Sequence, residues 1–236
     1  MFKNSSATIN GKHTYADYGL YVTNNNPVSP PQVKVQSIEV PGKNGNWDLT
    51  EGLTGYTVYG NRTLTFEFGG KKRAKEWPGF LSRFLNELHG KRVEVIFDDD
   101  PQYYYAGRAT VEADYERGNE VARFTMTVDA EPYKYDILST TDPWLWDSFS
   151  FVDGVIRQYS QIEVKGSGVV NVVGSPMPTI PIITASTPMQ VEFKGNTYAL
   201  KAGTNKNYDI VLMNEVYLLT FTGTGTVSIE YHSGRL

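Results

Sequence analysis

The stretch RTLTFEF, at residues 62–68, alternates polar and apolar side chains. Leu64, Phe66 and Phe68 therefore share one face, and the residues between them share the other. A period of two residues is typical of a β-strand that buries one of its faces. We expect this stretch to be a half-buried strand against the core of its domain.

Other segments of the chain repeat this strand pattern between turn-forming residues. The predicted strands are 92–97, 105–115, 121–128, 191–194, 197–200, 216–222 and 226–231. Three glycine-containing turns, at 116–120, at Gly195-Asn196 and at 223–225, separate neighbouring strands and predict three antiparallel hairpins. Because strand signals dominate, the fold class is predicted to be mainly β.

One segment, residues 71–89, departs from the strand pattern. Its apolar residues follow the spacing of a single helical face: Trp77, Phe80, Leu81, Phe84, Leu85 and Leu88. Gly90 suits the end of a helix, and Pro78 is compatible only with the first turn. We expect one α-helix at about 72–89, with its regular part beginning near Trp77. The basic cluster at 71–75 is expected to be a solvated patch.

The density of charged residues changes along the chain. Residues 1–136 hold 16 Lys and Arg and 18 Asp and Glu, whereas residues 137–236 hold 6 and 8. The segment 132–143, with prolines and a polar cluster, lies at this change and is typical of a linker. The length of 236 residues allows two ordinary domains. We therefore predict an N-terminal domain at 1–136 and a C-terminal domain at 137–236.

The composition excludes several classes of protein. There is no cysteine, so disulfide frameworks, thiolate metal sites and cysteine nucleophiles are excluded. A formal net charge of −4 argues against a general nucleic-acid coat, which would be basic. The chain has neither the apolar run of about 20 residues that a spanning helix needs nor the apolar core of a signal peptide. We expect a soluble protein that folds in a cytoplasm and does not insert into a membrane.

The sequence contains no catalytic or metal-binding pattern. His13, His89 and His232 are far apart and lack a second ligand at metal-binding spacing. The acidic run at 98–100 could attract a hard cation, but Pro101 follows it and favours a charged turn after a strand. The serine-hydrolase elbow, the phosphate-binding loop and the dinucleotide fingerprint are also missing. We therefore predict no enzymatic activity, no cofactor and no metal site.

Two tryptophans that follow the linker are candidates for sugar binding. In a strand, Trp144 and Trp146 would lie on the same face. An exposed pair of indole rings could stack on the flat apolar faces of sugars. The alternative is that these rings pack between the domains or under the linker. Trp144 and Trp146 are thus the carbohydrate-binding candidates, and a carbohydrate-binding β-sandwich protein is the alternative function.

Several short motifs occur in an order that resembles one protein family. In chain order they are DYGLYV at 17–22, IEVPGKNG at 38–45, the strand at 62–68, VEVIFDDD at 93–100, YYYAG at 103–107 and EPYKY at 131–135. A single helix lies between the third and fourth motifs. The order resembles the distal tail protein family of long, non-contractile-tailed bacteriophages and their prophages. The VPGKNG and EPYKY motifs are the most telling, and residues 1–136 match better than residues 137–236.

This resemblance implies both a fold and an assembly. The fold would be an N-terminal β-sandwich or barrel-like domain with one α-helix, followed by a C-terminal galectin-like β-sandwich. Members form a homohexameric ring that joins the tail tube protein to the tail-associated hub protein. Their N-terminal domains line a channel that DNA crosses without specific binding, and in some phages their C-terminal domains carry receptor-binding proteins. Such a protein would assemble in the host cytoplasm and reside at the tail tip of the virion.

Overall fold

A computed structural model describes residues 6–24, 27–113, 118–143 and 157–236. The chain divides into two compact units, Met1–Lys134 and Tyr135–Leu236. Antiparallel strands dominate both units, and the described residues include one α-helix. The structure therefore confirms the prediction of a mainly β fold, while the galectin-like character of the second unit stays a prediction.

The first unit is a curled antiparallel sheet with a helix packed on its inner face. Its strands are β1 (Ala7–Ile9), β2 (Lys12–His13), β3 (Leu20–Val22), β4 (Ser37–Glu39), β5 (Asn46–Asp48), β6 (Arg62–Lys71), β7 (Arg92–Phe97), β8 (Tyr103–Glu112) and β9 (Val121–Ala130). A 3-10 turn at Ala74–Glu76 leads into α1 (Trp77–Leu88). The order of strands across the sheet is β2-β1-β7-β8-β9-β6-β3, and β4 and β5 form a separate two-stranded sheet.

The alternation seen in the sequence sets the inner face of this sheet. Leu64, Phe66 and Phe68 of β6 are buried, as predicted, and so are the apolar residues of β7. The predicted hairpin of β8 and β9 is also confirmed, with Gly107 opposite Ala130 and Glu112 opposite Thr125. Residues 114–117 of its loop lie outside the described residues.

Helix α1 begins at Trp77, where the sequence predicts the start of the regular helix. Five residues of the predicted stripe are buried: Trp77, Phe80, Leu81, Phe84 and Leu88. The helix ends before Gly90, whose φ of +75° lies in the left-handed region that glycine adopts without strain. The basic cluster before the helix is solvated except for Lys72. Its Nζ donates a hydrogen bond of 2.9 Å to the carbonyl oxygen of Tyr18.

The second unit has its own core and a separate six-stranded antiparallel sheet. Two short strands lie outside this sheet and pair with each other: β10 (Lys134–Asp136), which crosses the boundary of the units, and β17 (Gly234–Arg235). The strands of the sheet are β11 (Ile162–Val173), β12 (Ile182–Ala185), β13 (Met189–Phe193), β14 (Asn196–Leu200), β15 (Gly203–Lys206) and β16 (Val216–Glu230). Five of them follow the order β14-β13-β16-β12-β15, and β11 pairs with β16. Fully buried side chains of this core include Val172, Val191, Leu219, Phe221 and Ile229.

The predicted hairpin at 216–231 is wrong, because β16 is a single strand of 15 residues. Strand β11 pairs with it from Val173 opposite Val216 to Ile162 opposite Val227. The glycines serve close packing rather than a turn. A Cβ on Gly223 would lie 2.6 Å from the Cβ of Met189, and a Cβ on Gly225 would meet the hydroxyl of Ser186 at 2.5 Å.

The predicted hairpin of β13 and β14 exists, but its turn lies one residue earlier than expected. Phe193 pairs with Asn196, so the two turn residues are Lys194 and Gly195. Both have positive φ angles, +48° and +79°, as a two-residue turn of this hand requires. Asn196 therefore begins β14 instead of closing the turn.

Candidate assembly surface

The first unit carries an extended segment whose apolar side chains face solvent. We call residues 33–53 the apolar arm. Its exposed apolar side chains are Val33, Val35, Ile38, Trp47, Leu49 and Leu53, and the exposed fraction reaches 60% for Trp47 and 89% for Leu53. All six residues of β4 and β5 are exposed as well. The apolar arm therefore adds nothing to the core of its own unit.

Local hydrogen bonds hold the apolar arm in shape. Ile38 lies directly opposite Trp47 in the register of β4 and β5, and the VPGKNG motif at 40–45 connects these strands. The backbone N–H of Thr50 donates to the Asp48 carboxylate at 2.9 Å. This hydrogen bonding to Thr50 lowers the pKa of Asp48. The ammonium group of Lys43 lies 5.2 Å from the centre of the Trp47 ring.

The base of the apolar arm is tied to the main sheet. Val33 pairs with Tyr59, and Val28 pairs with Leu64 of β6. The backbone N–H of Lys34 donates to the carbonyl oxygen of Val58 at 2.9 Å. The apolar arm thus starts from a fixed position, although its distal part has no contact with the core.

A two-stranded hairpin without a packed face is marginally stable in water at best. Burying one large apolar side chain stabilises a protein by about 1.5–3 kcal/mol relative to leaving it exposed. Ile38 and Trp47 are cross-strand neighbours, and grouped exposed apolar side chains mark interaction sites more often than single ones do. The arrangement of the apolar arm is therefore suited to binding another protein surface, rather than to chemistry.

The sheet of the first unit also ends in two strands with an open side. Among the described residues, β2 pairs only with β1, and β3 pairs only with β6. Such edges present unpaired backbone groups that another chain can bind. The exposed ring of Tyr21, in the middle of β3, lies with its centre 4.8 Å from that of the exposed Tyr15 ring. Hydrogen bonding between these two hydroxyls raises the pKa of Tyr21.

His13 and the acidic run at 98–100 form local hydrogen bonds and ion pairs. His13 Nε2 lies 2.9 Å from the Asp98 carboxylate, and its Nδ1 accepts backbone hydrogen bonds from Tyr15 and Ala16. The acidic run forms the turn after β7, in which Asp100 pairs with Lys134 at 2.6 Å. No group of three or more potential metal ligands occurs among the residues that the structure describes.

The other two histidines also bind backbone groups of their own units. His89 Nδ1 accepts a hydrogen bond of 3.0 Å from the N–H of Val111. His232 Nδ1 lies 3.0 Å from the carbonyl oxygen of Asp136. Each of these side chains is therefore explained by local structure.

An ion pair is largely enclosed in the second unit. The Arg157 guanidinium lies 3.7 Å from the Asp136 carboxylate, and only 8% of the Arg157 side chain is exposed. The same guanidinium donates to the carbonyl oxygens of Val173 and Gly174. Burial raises the pKa of Asp136, and the positive charge of Arg157 opposes that shift without cancelling it. This pair ties the start of the second unit to the end of β11.

The carbohydrate candidates Trp144 and Trp146 lie outside the described residues. The polar segment at 203–207, which could have supplied hydrogen bonds to a sugar, largely forms strand β15. Within it, the Asn205 amide already donates to the carbonyl oxygens of Lys201 and Gly203, at 2.8 and 3.0 Å. Sugar binding at Trp144 and Trp146 therefore stays a prediction.

Sequence reasoning from the residues did not identify the apolar arm. Its apolar residues alternate over only two positions, Val33 and Val35, and then lose the pattern. The IEVPGKNG motif at 38–45 lies in the apolar arm, but it indicates a resemblance to a family and not an exposed apolar surface. The signal that could have found it is the long gap, from Val22 to Arg62, between core-forming strands.

The fold is similar to that of a phage protein of known structure. Over 99% of its length the chain superposes on a solved structure with a TM-score of 0.64, 14% sequence identity and coverage of 100% of that chain. That structure is the Dit (gp 19.1) protein of phage SPP1, described as a paradigm of the hub adsorption apparatus in phages that infect Gram-positive hosts. The similarity of fold confirms the resemblance found in the motifs.

Other comparisons add no relative. No family model matches the chain, and no curated protein matches it either. Within the described ranges, no helix is long and apolar enough to cross a membrane.

Proposed function

We propose that this chain is a structural protein of a phage tail tip, and that it forms a homohexameric ring. The ring would join the tail tube protein to the tail-associated hub protein and surround the channel through which DNA passes. The observation that carries this proposal is the similarity of fold to SPP1 Dit along the whole chain. The site of function would be the virion, after assembly in the host cytoplasm.

The apolar arm supplies a surface for the contacts between subunits. Closed rings use a heterologous interface, in which one face of a subunit meets a different face of the next. The apolar arm is one such face, and the open edge of β3 with Tyr15 and Tyr21 is a suitable second face. Covering the apolar side chains would remove surface that the isolated chain leaves in water.

The remaining partners follow from the position of such a ring. One side would contact the tail tube protein and the other the tail-associated hub protein. DNA would cross without specific binding, which agrees with the net charge of −4, since a basic lining would hold phosphates. The second unit is the part that would face outwards, where receptor-binding proteins are carried in some phages.

The first experiment measures the mass of the full chain in solution by light scattering. Six copies of 26.5 kDa give about 159 kDa. Trp47→Ser should reduce the hexamer fraction, because it removes the largest exposed side chain of the apolar arm. The matched control is Val121→Ser, which removes an exposed apolar side chain of β9 and should leave the mass unchanged. Equal masses for both variants would argue against the apolar arm as the interface.

A second experiment divides the chain near the boundary of its two units. A fragment of residues 1–136 should still form rings, whereas residues 137–236 should be monomeric. Both fragments and the full chain are measured again with the tail tube protein present, since such rings can need a partner to nucleate. The ring proposal fails if the full chain stays monomeric beside its partners, or if the second fragment alone forms the rings.

The alternative function, sugar binding, rests on Trp144 and Trp146. It predicts sub-millimolar binding of a host glycan in calorimetry, with loss of binding in Trp146→Ala. The structural role predicts no such binding and no turnover of cell-wall polysaccharide. Hydrolysis of that polysaccharide by the purified chain, abolished by a single acidic substitution, would contradict the proposal of a non-enzymatic protein.

A further inference from the structure

Arg62 occupies an unusual position at the start of β6. The burial of β6 alternates, and Arg62 is on the same inner face as Leu64 and Phe66. It is 5% exposed, which places a permanently charged side chain among core residues. Its neighbour across the sheet is Ala130, whose small side chain leaves room for the longer arginine.

The guanidinium of Arg62 has no charged or hydrogen-bonding partner among the described residues. Its Nε–H is enclosed and donates a hydrogen bond to no acceptor among the described residues. The guanidinium lies over the ring of Tyr105, whose centre is 5.5 Å from the guanidinium carbon. A cation–π contact of this kind contributes less than the desolvation of a buried guanidinium costs.

A neighbouring cation shows what is missing at Arg62. Lys134 lies over the ring of Tyr103, two residues from Tyr105 on the same strand, at 4.5 Å. Unlike Arg62, Lys134 also has a carboxylate partner in its own unit, Asp100 at 2.6 Å. The two cations therefore have the same aromatic support, but only one of them is neutralised.

We propose that Arg62 binds a carboxylate supplied by a second copy of this chain when the ring forms. This inference rests on the proposed ring. The carboxylate would enter through the small accessible part of Arg62 and accept hydrogen bonds from the guanidinium. Arg62 would then act as an assembly sensor, because its burial is unfavourable in the free chain and favourable in the ring.

A protein carboxylate fits this position better than the phosphate of a nucleic acid. The phosphates of a duplex lie on a rigid rod, which cannot bring an oxyanion to a side chain that is 5% exposed on the inner face of a sheet. A carboxylate on a flexible side chain can reach it, and the planar guanidinium fork matches the geometry of a carboxylate. The chain also has an excess of carboxylates, 26 acidic residues against 22 basic ones.

The test compares Arg62→Met with wild type in two separate measurements. The first is the thermal midpoint at a concentration where the chain is monomeric. There the variant should gain about 2–4 °C, because a buried unpaired charge is replaced by an apolar side chain of similar length. The second is the affinity between subunits in sedimentation, which should weaken at least about 30-fold because a buried charge pair is lost.

The control variant is Arg123→Met, which replaces an exposed arginine of β9 and should change neither quantity. Arg62→Lys keeps the charge without the planar fork, and it should weaken assembly while leaving the monomer less stable than Arg62→Met. Both measurements are repeated in millimolar inorganic phosphate, which serves as the probe for a phosphate ligand.

The outcomes separate this inference from the ring itself. A lower monomer midpoint for Arg62→Met would show that the guanidinium is satisfied within its own chain. A higher midpoint with unchanged assembly would show that no second copy supplies the anion. Stabilisation of wild type by phosphate, absent in Arg62→Met, would identify a phosphate site instead. Each result overturns the inference while wild-type rings still form, whereas a wild type that never assembles overturns the ring and the inference together.

Discussion

Replacing Phe84 with alanine tests the central packing of the first unit. Phe84 is 1% exposed on helix α1, and its ring centre lies 5.1 Å from that of Tyr18 and 5.4 Å from that of Phe124. The rings of Phe80 and Phe68 lie at 5.8 and 6.0 Å. The substitution therefore removes one ring from the middle of an aromatic cluster.

The expected loss of stability follows from how little this cluster can collapse. A Phe→Ala change in a core costs about 3–5 kcal/mol, and the cost is highest where the neighbours cannot move into the cavity. Phe68 and Phe124 are on the paired strands β6 and β9, which fix their backbones. We therefore expect a loss of about 4–5 kcal/mol for Phe84→Ala, in the upper part of that range.

Urea denaturation of the full chain measures this loss, with circular dichroism and the fluorescence of the buried Trp77 as signals. The midpoint of the first unit should fall by about 2 M. Arg83→Ala is the matched control on the exposed side of the same helix and should stay within about 0.5 kcal/mol of wild type. A Phe84→Ala midpoint as close to wild type as that of the control would refute the packing argument.

Two further predictions concern the second unit. Gly223→Ala should destabilise it by about 2–4 kcal/mol, because the new Cβ meets Met189 at 2.6 Å and the φ of +148° is strained for alanine. Gly168→Ala, with no contact closer than 3.7 Å, should be tolerated, and equal denaturation midpoints for the two variants would contradict the close approach. Burial raises the folded-state pKa of Asp136, so its contribution to stability is present at low pH and is lost as the pH rises through that pKa. Denaturation of wild type and Asp136→Asn between pH 4 and 7 should show wild type losing stability relative to the variant as pH rises, and parallel curves would contradict the raised pKa.

Periodicity was sufficient to predict the elements that pack against their own unit. The strand at Leu64–Phe68 and the helix from Trp77 to Leu88 each bury one face, and the side chains repeat with the period of that face. The residues of each element are therefore sufficient to predict its secondary structure and its buried face. The prediction of their type, of their buried faces and of the hairpin formed by β8 and β9 therefore succeeded.

The turn at 223–225 could not be predicted in the same way. Two glycines around Thr224 have the local appearance of a hairpin turn. Glycine is required at 223 and 225 because the chain at 186–189 passes too close for a side chain at either position. That approach depends on residues more than 30 positions away, and a short sequence window contains no signal for it.

The apolar arm and Arg62 both depart from the usual distribution of side chains, in which apolar groups are buried and charged groups are exposed. The first places apolar side chains in water, and the second places a cation in the core. Both arrangements are unfavourable for an isolated chain, and natural proteins retain such conflicts mainly at functional sites. A neighbouring copy could remove both conflicts at once by covering Trp47 and supplying a carboxylate to Arg62. If it does, Arg62→Met and Trp47→Ser should each weaken the ring, but only Arg62→Met should stabilise the monomer, because only Arg62 is enclosed before assembly.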